Sequence, residues 1–376
     1  MNMSRVKTNV LIIGAGVIGI SIADVLLRNN IKDVTILEKN SMIMQETSSH
    51  NSGLIHGGFD AKPGTLKAKF NYEGRKMFEK RFFIPDKKEF RYSPIKSFIL
   101  AYNEREVKEL SRLFSQGIEN GLDKNEMEII SGDKLREIDK YISPKVIKAL
   151  VCYSSWVIDP LDFGKYMHNN LNEFNLNTIT SFEVDSIEQQ DSIIVKSKDG
   201  QEIEANFIIN ASGVWAEKIA RMVEDEPEFE IESKRGQYII LDKTQAKKME
   251  FNVYFLTPSR NGKGVIVAPQ FDGRVLVGPN AEDGVPLTDG QMVTRNGLSF
   301  VQKIGSKINP SLNMERIETV MAGSRPINLK GNDYHIKMSN SNINMLHVAG
   351  TQSPALSGCL AIAKYVYKLY LKQLNN

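Results

Sequence analysis

Two short stretches of the sequence carry most of its chemistry. The first is Gly14-Ala15-Gly16-Val17-Ile18-Gly19, a G-x-G-x-x-G. Gly14 permits a tight turn, Gly16 lets a diphosphate approach the backbone, and Gly19 lets a helix pack closely on a strand. The N–H groups that open such a helix, with its partial positive charge, suit phosphate oxygens. Glu38 follows about 20 residues after the last glycine, where a carboxylate takes the ribose hydroxyls. The second stretch is SGLIHGG, Ser52 to Gly58. The unperturbed pKa of its His56 is about 6.5, so the imidazole can be a neutral base near neutrality. A packing histidine is the competing explanation. His50 is a rival for the base, although it lies in a polar cluster that better suits a cofactor segment.

Cations that could hold an anionic substrate are few in distinctive settings. Lys263 lies between glycines in NGKGVIVAP, where an exposed hairpin lysine is the plainer explanation. Arg325 lies in MAGSRPI, an apolar and tight setting. Burying its charge is costly unless it is paired, and its planar fork suits a phosphate or carboxylate. Ser353, before Pro354, could donate one more hydrogen bond, and Ser52 could assist. Lys234 and Arg235 read adequately as a charged strand end.

These residues need elements to position them. Val10 to Ile13 is a β-branched apolar run long enough for a strand buried on both faces. After the glycines the apolar residues Ile18, Ile22, Val25 and Leu26 take helical spacing, and Val34 to Leu37 reads as a second strand ending at Glu38. Strand, glycines, helix, strand and terminal acid agree on a dinucleotide site. The acid disfavours NADP, whose extra phosphate it would repel, and does not separate NAD from FAD. An NAD enzyme would usually continue into another simple βα unit. Here Thr47, Ser48, Ser49, Asn51 and Ser52 cluster before Gly53, a segment that can open a helix against a second part of a diphosphate; a polar surface loop is the alternative.

The bulk numbers set the frame. The chain has 376 residues, which suits two packed domains. It is 41% hydrophobic and 25% charged with a formal net charge of +3, so wholesale disorder and nucleic-acid binding are not indicated. Its two cysteines, Cys152 and Cys359, form neither a disulfide framework nor a metal cluster and fit a reducing compartment, so no metal is expected and a cytoplasmic location is. The most apolar run, Asn9 to Leu27, is broken by three glycines and Asp24 and reads as strand plus helix rather than as a membrane span or signal peptide. That leaves peripheral membrane association open. Arg105 to Asn120 reads as a peripheral amphipathic helix, YIILD, GVIVAP and RVLVGP as strands, and CLAIAKYVYKLYLKQL as a helical tail.

The combination of GAGVIGI, LEKN, ETSSHNSGLIHGG and KPGTLKAK resembles the D-amino-acid-oxidase-like superfamily of FAD enzymes. Within it the sequence is most similar to the small glycerol-3-phosphate oxidases and dehydrogenases and to the L-2-hydroxyglutarate oxidases and dehydrogenases. SSWVIDP, FIINASGVWA, KRGQYII, VLVGPNAEDG, MAGSRPI and HVAGTQSPALSGCLAI extend the resemblance over nearly the whole chain. It implies an α/β fold in which a Rossmann-like FAD-binding domain (GR2/DAO-like) is interleaved with an α+β substrate domain on a mixed antiparallel sheet. Residues 1–82, 145–218 and 322–376 would form the FAD domain and 83–144 and 219–321 the substrate domain, with the active site in the crevice between them.

The resemblance implies FAD held by Gly14, Gly16, Ile18, Gly19, Glu38, Lys39, Thr47, Ser48, Asn51, Ser52, Gly53, Leu54, Val184, Ala211, Gly213, Gly350, Thr351, Ser353 and Ser357. It implies His56 as the base, Lys263 and Arg325 as phosphate anchors with roles in catalysis, and Ser52 and Ser353 in contact with substrate. Where these families run Ser-Pro-Gly-Leu-Thr, this chain has Ser353-Pro354-Ala355-Leu356-Ser357, so Ala355 replaces a glycine and Ser357 keeps a hydroxyl. The expected reaction is oxidation of sn-glycerol 3-phosphate to dihydroxyacetone phosphate, with O2 reduced to hydrogen peroxide. L-2-hydroxyglutarate oxidation is the first alternative. An amine oxidase of the glycine or sarcosine type, or a non-catalytic flavoprotein, is the second.

Overall fold

The computed structural model describes residues 6–84, 89–258, 264–341 and 343–375. The chain divides into two compact units, one of residues 1–49, 160–233 and 325–376, the other of 50–159 and 234–324. The crossings thus fall at 49, 159, 233 and 324 rather than at the expected 82, 144, 218 and 321. Strand pairing is the reason. Leu54 and Ile55 bond to Val157 and Trp156 in the second unit's sheet, which draws the segment after residue 49 out of the nucleotide unit.

The first unit is built on an eight-stranded sheet. Its main path runs His335–Met338, Met345–Ala349, Glu202–Asn210, Val6–Ile13, Val34–Leu37, Asn177–Ile179. The four junctions from Met345–Ala349 to Asn177–Ile179 are parallel, and His335–Met338 pairs antiparallel. A hairpin, Val184–Gln189 and Ile193–Ser197, adds antiparallel to Glu202–Asn210. Residues 10–13 and all of Val34–Leu37 are buried, as strands covered on both faces must be. The helix Val17–Arg28 packs against the helices Ala355–Leu374 and Pro160–Asn169. Ile18, Ile20, Ile22, Leu26 and Leu27 are buried there, so the helix is apolar nearly all round.

The order of these strands has a consequence. From Val6–Ile13 the chain moves to its neighbour Val34–Leu37; from Glu202–Asn210 it moves the other way, to Met345–Ala349. The sheet therefore has its topological switch point between Val6–Ile13 and Glu202–Asn210. Ligands of open parallel sheets bind outside the carboxyl ends of the strands at that point.

The second unit is a nine-stranded sheet, ordered Ile317–Asn328, Ile231–Leu241, Val275–Gly278, Ile266–Pro269, Asn252–Leu256, Tyr92–Ala101, Lys148–Ile158, Leu54–Ile55, with Met127–Ser131 also on Lys148–Ile158. It is mixed: Asn252–Leu256 lies parallel to Tyr92–Ala101 and the pairs on either side are antiparallel. Phe98, Val151, Tyr254, Val267 and Val277 form part of its core. The helix Glu104–Glu119 is the amphipathic one expected, turning Leu110 and Leu113 inward, and Asn103 caps it by accepting the Glu106 N–H at 3.0 Å. Among the described residues no helix is long and apolar enough to cross a membrane.

Candidate active site

The nucleotide end of the first unit is assembled at the switch point. Gly14 follows the strand Val6–Ile13 with φ of 111°, a conformation that excludes most side chains. A Cβ there would lie 2.6 Å from the Ala211 carbonyl oxygen and 3.1 Å from Ser212 Cα. The two turns that flank the switch point are thus in contact, although nearly 200 positions separate them. Their strands set this register, with Ile13 opposite Asn210 and the Ala211 N–H donating to the Ile13 oxygen at 3.0 Å. Gly16 is the N-cap of the helix Val17–Arg28 and has no side chain to close it. A Cβ on Gly16 would lie 2.8 Å from Ser48 Oγ, and one on Gly19 only 1.9 Å from the Gly14 oxygen. The helix sits directly on the turn because Gly19 has no side chain.

Glu38 closes the other side. One carboxylate oxygen accepts the Ala15 N–H at 3.0 Å, and the other accepts the Asn40 N–H and side-chain amide at 2.9 and 2.8 Å. Burial pushes this carboxyl above the usual carboxylate range, against the lowering pull of the Asn40 and Ala15 N–H groups. The acid at the end of the second strand is thereby tied to the glycine loop. Glycine cradle, glycine-capped helix N-terminus, tethered carboxylate and switch point together fit the diphosphate and ribose of a dinucleotide.

The remaining first-unit candidates surround this core in different ways. Ser48 accepts the Val17 N–H at 2.9 Å, so it binds the helix start through a turn. Residues 47–49 form that turn and open no helix. Thr47 is half-buried in it. Lys39 pairs with Glu46 and lies 4.2 Å from the Trp215 ring centroid; the Trp215 indole donates to Glu46 at 3.1 Å. Ile18 and Val184 are buried, Val184 opening the hairpin opposite Ser197. Gly213, with φ of 60°, starts the short turn after Ala211, and Gly350, with φ of 68°, ends the strand Met345–Ala349. A Cβ on Gly350 would lie 2.8 Å from Asn328 Cβ. Thr351 and Ser353 lead from it into the helix Ala355–Leu374, in whose first turn Ser357 is fully buried. Arg325 is half-buried on the strand Ile317–Asn328, where the chain enters the first unit.

In the second unit Asn51 accepts the Gly53 N–H at 2.8 Å, which shapes the turn holding Ser52. Leu54 and Ile55 then form a two-residue strand, and His56 follows it, 9% exposed, with its ring centroid 6.3 Å from that of Phe255. The next glycine is packed tightly: a Cβ on Gly57 would lie 2.3 Å from Cys152 Sγ. Burial pushes the Cys152 thiol up, so it stays protonated. Lys234 and Arg235 both lie in ion pairs: Lys234 pairs with Asp283 at 2.6 Å, and buried Arg235 pairs with Glu282 at 2.9 Å. Lys263 lies outside the described residues.

Sequence reasoning passed over Asn210, Ser212, Glu224 and His347. These form a hydrogen-bonded chain behind the switch-point turn, with Asn210 and His347 buried and Ser212 and Glu224 partly so. Their signal was weak but present: Asn210 ends the strand Glu202–Asn210 and His347 lies within the strand Met345–Ala349, both inside segments that carried the family resemblance.

The comparisons with known proteins agree with this geometry. The family model described as "DAO: FAD dependent oxidoreductase" matches residues 9–369. The chain is 36% identical over 360 residues to a glycerol 3-phosphate dehydrogenase of Caloramator mitchellensis, covering 95% of this chain and 72% of that relative. It is 33% identical over 366 residues to the glycerol 3-phosphate oxidase of Mycoplasma genitalium, covering 96% and 94%. Among solved structures it is similar to the dithionite-reduced L-alpha-glycerophosphate oxidase of Mycoplasma pneumoniae with FAD bound, with a TM-score of 0.91 and 32% identity over 96% of this chain and 94% of that one. With a glycine cradle, a switch point and a tethered acid suited to a dinucleotide, and a family match over nearly its whole length, the chain belongs to the DAO family of FAD-dependent oxidoreductases.

Proposed function

We propose that this protein oxidises sn-glycerol 3-phosphate to dihydroxyacetone phosphate and passes the electrons to O2, which leaves as hydrogen peroxide. The observation that carries the reading is the 33–36% identity, over nearly the whole chain, to relatives named for glycerol 3-phosphate. FAD, when bound, supplies the acceptor for the hydride that leaves the substrate carbon.

The chain's own residues have three tasks. His56 removes the hydroxyl proton as the carbonyl forms. Its near-complete burial behind a two-residue strand suits that role, since a ring held by packing loses little freedom on engaging substrate. Arg325 holds the phosphate with its planar fork, and Lys263 adds a second positive charge. Ser52 and Ser353 donate hydrogen bonds to the substrate. Two cations suit a dianionic substrate better than an amino acid, which weighs against the amine-oxidase alternative. Cys152 and Cys359, both buried and in no disulfide, suit a reducing, cytoplasmic setting.

The test is peroxide release from the purified protein with glycerol 3-phosphate, L-2-hydroxyglutarate, sarcosine and glycine, alongside anaerobic bleaching of the yellow colour by each. Turnover with glycerol 3-phosphate supports the reading. Turnover with L-2-hydroxyglutarate alone overturns the substrate, and bleaching without peroxide overturns the acceptor.

A further inference from the structure

The fully buried side chain of Asn210 ends the strand on one side of the switch point, and its orientation can be derived. The Asn210 Oδ1 accepts the Ser212 hydroxyl at 2.6 Å and the Ser212 N–H at 3.4 Å. The Asn210 Nδ2 donates to the Ala216 carbonyl at 2.8 Å. A backbone N–H can only donate and a carbonyl can only accept, so the amide cannot be flipped without losing both. The other Nδ2 hydrogen faces His347 Nδ1 at 3.2 Å. That nitrogen must therefore offer a lone pair, and the ring proton must sit on Nε2. Nε2 indeed faces Glu224 Oε1 at 3.0 Å. The bonds form a one-way chain: Ser212 donates to Asn210, Asn210 to His347, and His347 to Glu224.

The chain is well enclosed. His347 is 1% exposed and lies opposite Asn210 in the parallel register. Glu224, its side chain 7% exposed, also accepts from Ser339 and from the Asn340 N–H at 3.0 Å. Its far end, the Ser212 turn, is the segment that meets the Gly14 loop.

We propose that His347 is a positioning residue for FAD: as the neutral Nε2–H tautomer it holds the Ser212 turn through Asn210, and its protonation loosens the grip on the cofactor. A proton on Nδ1 would set donor against donor at Asn210, and the amide could relieve this only by releasing Ser212 or Ala216. The charged groups around the ring are Glu224, bonded to it; His335 on the adjacent strand; and Lys337, opposite it in the antiparallel register and paired with Glu228 at 2.8 Å. Burial holds the His347 imidazole below its ordinary range against the pull of Glu224, which places protonation on the acid side of neutrality.

The inference rests on FAD binding and not on which alcohol is oxidised, so it is tested without substrate. FAD release from the full-length holoenzyme is followed as the rise in flavin fluorescence after dilution, between about pH 8 and about pH 5.5. The wild type should release FAD roughly tenfold faster at the acid end, a coupling within the usual range. In His347→Gln the amide can accept from Asn210 and donate to Glu224 but cannot titrate, so its rate should stay within about twofold across the same range. His335 is retained in both proteins and cancels. A flat wild type, or an equal rise in both proteins, overturns the proposal. Histidine ¹⁵N spectra of the wild-type holoenzyme near pH 8 give a second test that needs no variant: a proton on Nδ1 of His347 instead of Nε2 would also overturn it.

Discussion

Gly57→Ala is the most incisive perturbation of the turn that carries His56. Gly57 has no left-handed φ, so its backbone tolerates alanine, and the obstacle is a single atom. The new methyl would sit 2.3 Å from Cys152 Sγ, while Ser154 Oγ and Ser155 Oγ, at 3.4 and 3.6 Å, stay at ordinary contact distance. A carbon and a sulfur need about 3.5–4.0 Å, so roughly 1 Å or more must be found. Cys152 is fully buried on the strand Lys148–Ile158, and its sulfur has little room to retreat. The turn must move instead. Overpacking of this kind costs about 1–3 kcal/mol of stability. A misplacement of about 1 Å in a reacting group can cost about 100-fold in rate, and His56 is the adjacent residue. Cys152→Ala removes the sulfur, and on its own it should cost about 1–2 kcal/mol as a small cavity. In Gly57→Ala/Cys152→Ala the methyl fills the vacated space. The double variant should therefore be no less stable than Cys152→Ala alone, a coupling of about 1–3 kcal/mol, and should regain most of its kcat. Urea midpoints and peroxide release with glycerol 3-phosphate measure both quantities. If the two single costs add to within about 0.5 kcal/mol, the sulfur is not what Gly57 avoids.

Other expectations follow from the same geometry. Gly19→Ala places a Cβ 1.9 Å from the Gly14 backbone oxygen, which no rotamer can relieve. It should cost about 3 kcal/mol and abolish FAD retention, read as a colourless purified protein; a yellow variant with the wild-type melting temperature would refute the close helix–turn packing. His56→Ala should mainly lower kcat and Arg325→Ala should mainly raise KM, and the opposite pattern in steady-state kinetics would exchange their roles. Burial, with Lys337 and His347 adding to it, depresses His335 to about 4 from its ordinary 6.5. The unfolded chain therefore binds this proton first, and stability should fall as pH drops from about 6.5 to about 4, by up to about 3 kcal/mol from this residue. Urea midpoints across that range should fall less steeply in His335→Asn; an unchanged slope would remove His335 from the account.

The nucleotide unit was legible because its signals are local. Strand, glycines, helix and acid lie within the first forty residues, and the strand Val34–Leu37 has the limits that periodicity assigned to it. The segment after it was harder. Thr47 and Ser48 look like a helix opening, yet they form a turn, because Ser48 is recruited to the Val17 N–H by a fold that brings residues 31 positions apart together. The domain crossings were displaced for a similar reason. Leu54 and Ile55 are too few to announce a strand, and their pairing with Trp156 and Val157 is visible only once the sheet exists.

The cations show what patterning leaves undecided. Arg325 reads as an apolar, tight setting and Arg235 as part of a charged strand end, but patterning does not show what either guanidinium meets. The structure shows what Arg235 meets: Glu282 takes its guanidinium at 2.9 Å and the Asp289 carbonyl takes it at 3.1 Å. The same reasoning runs through His347. A histidine in the middle of an apolar strand reads as core, and only the carbonyl of Ala216 and the N–H of Ser212, by fixing the Asn210 amide, reveal that its ring must stay neutral. What a polar residue does here depends on the direction of the hydrogen bonds around it. Those directions are imposed by backbone groups that the strand register brings together, and for that reason a single substitution at His347 can be asked to change the grip on FAD while leaving every residue of the glycine cradle in place.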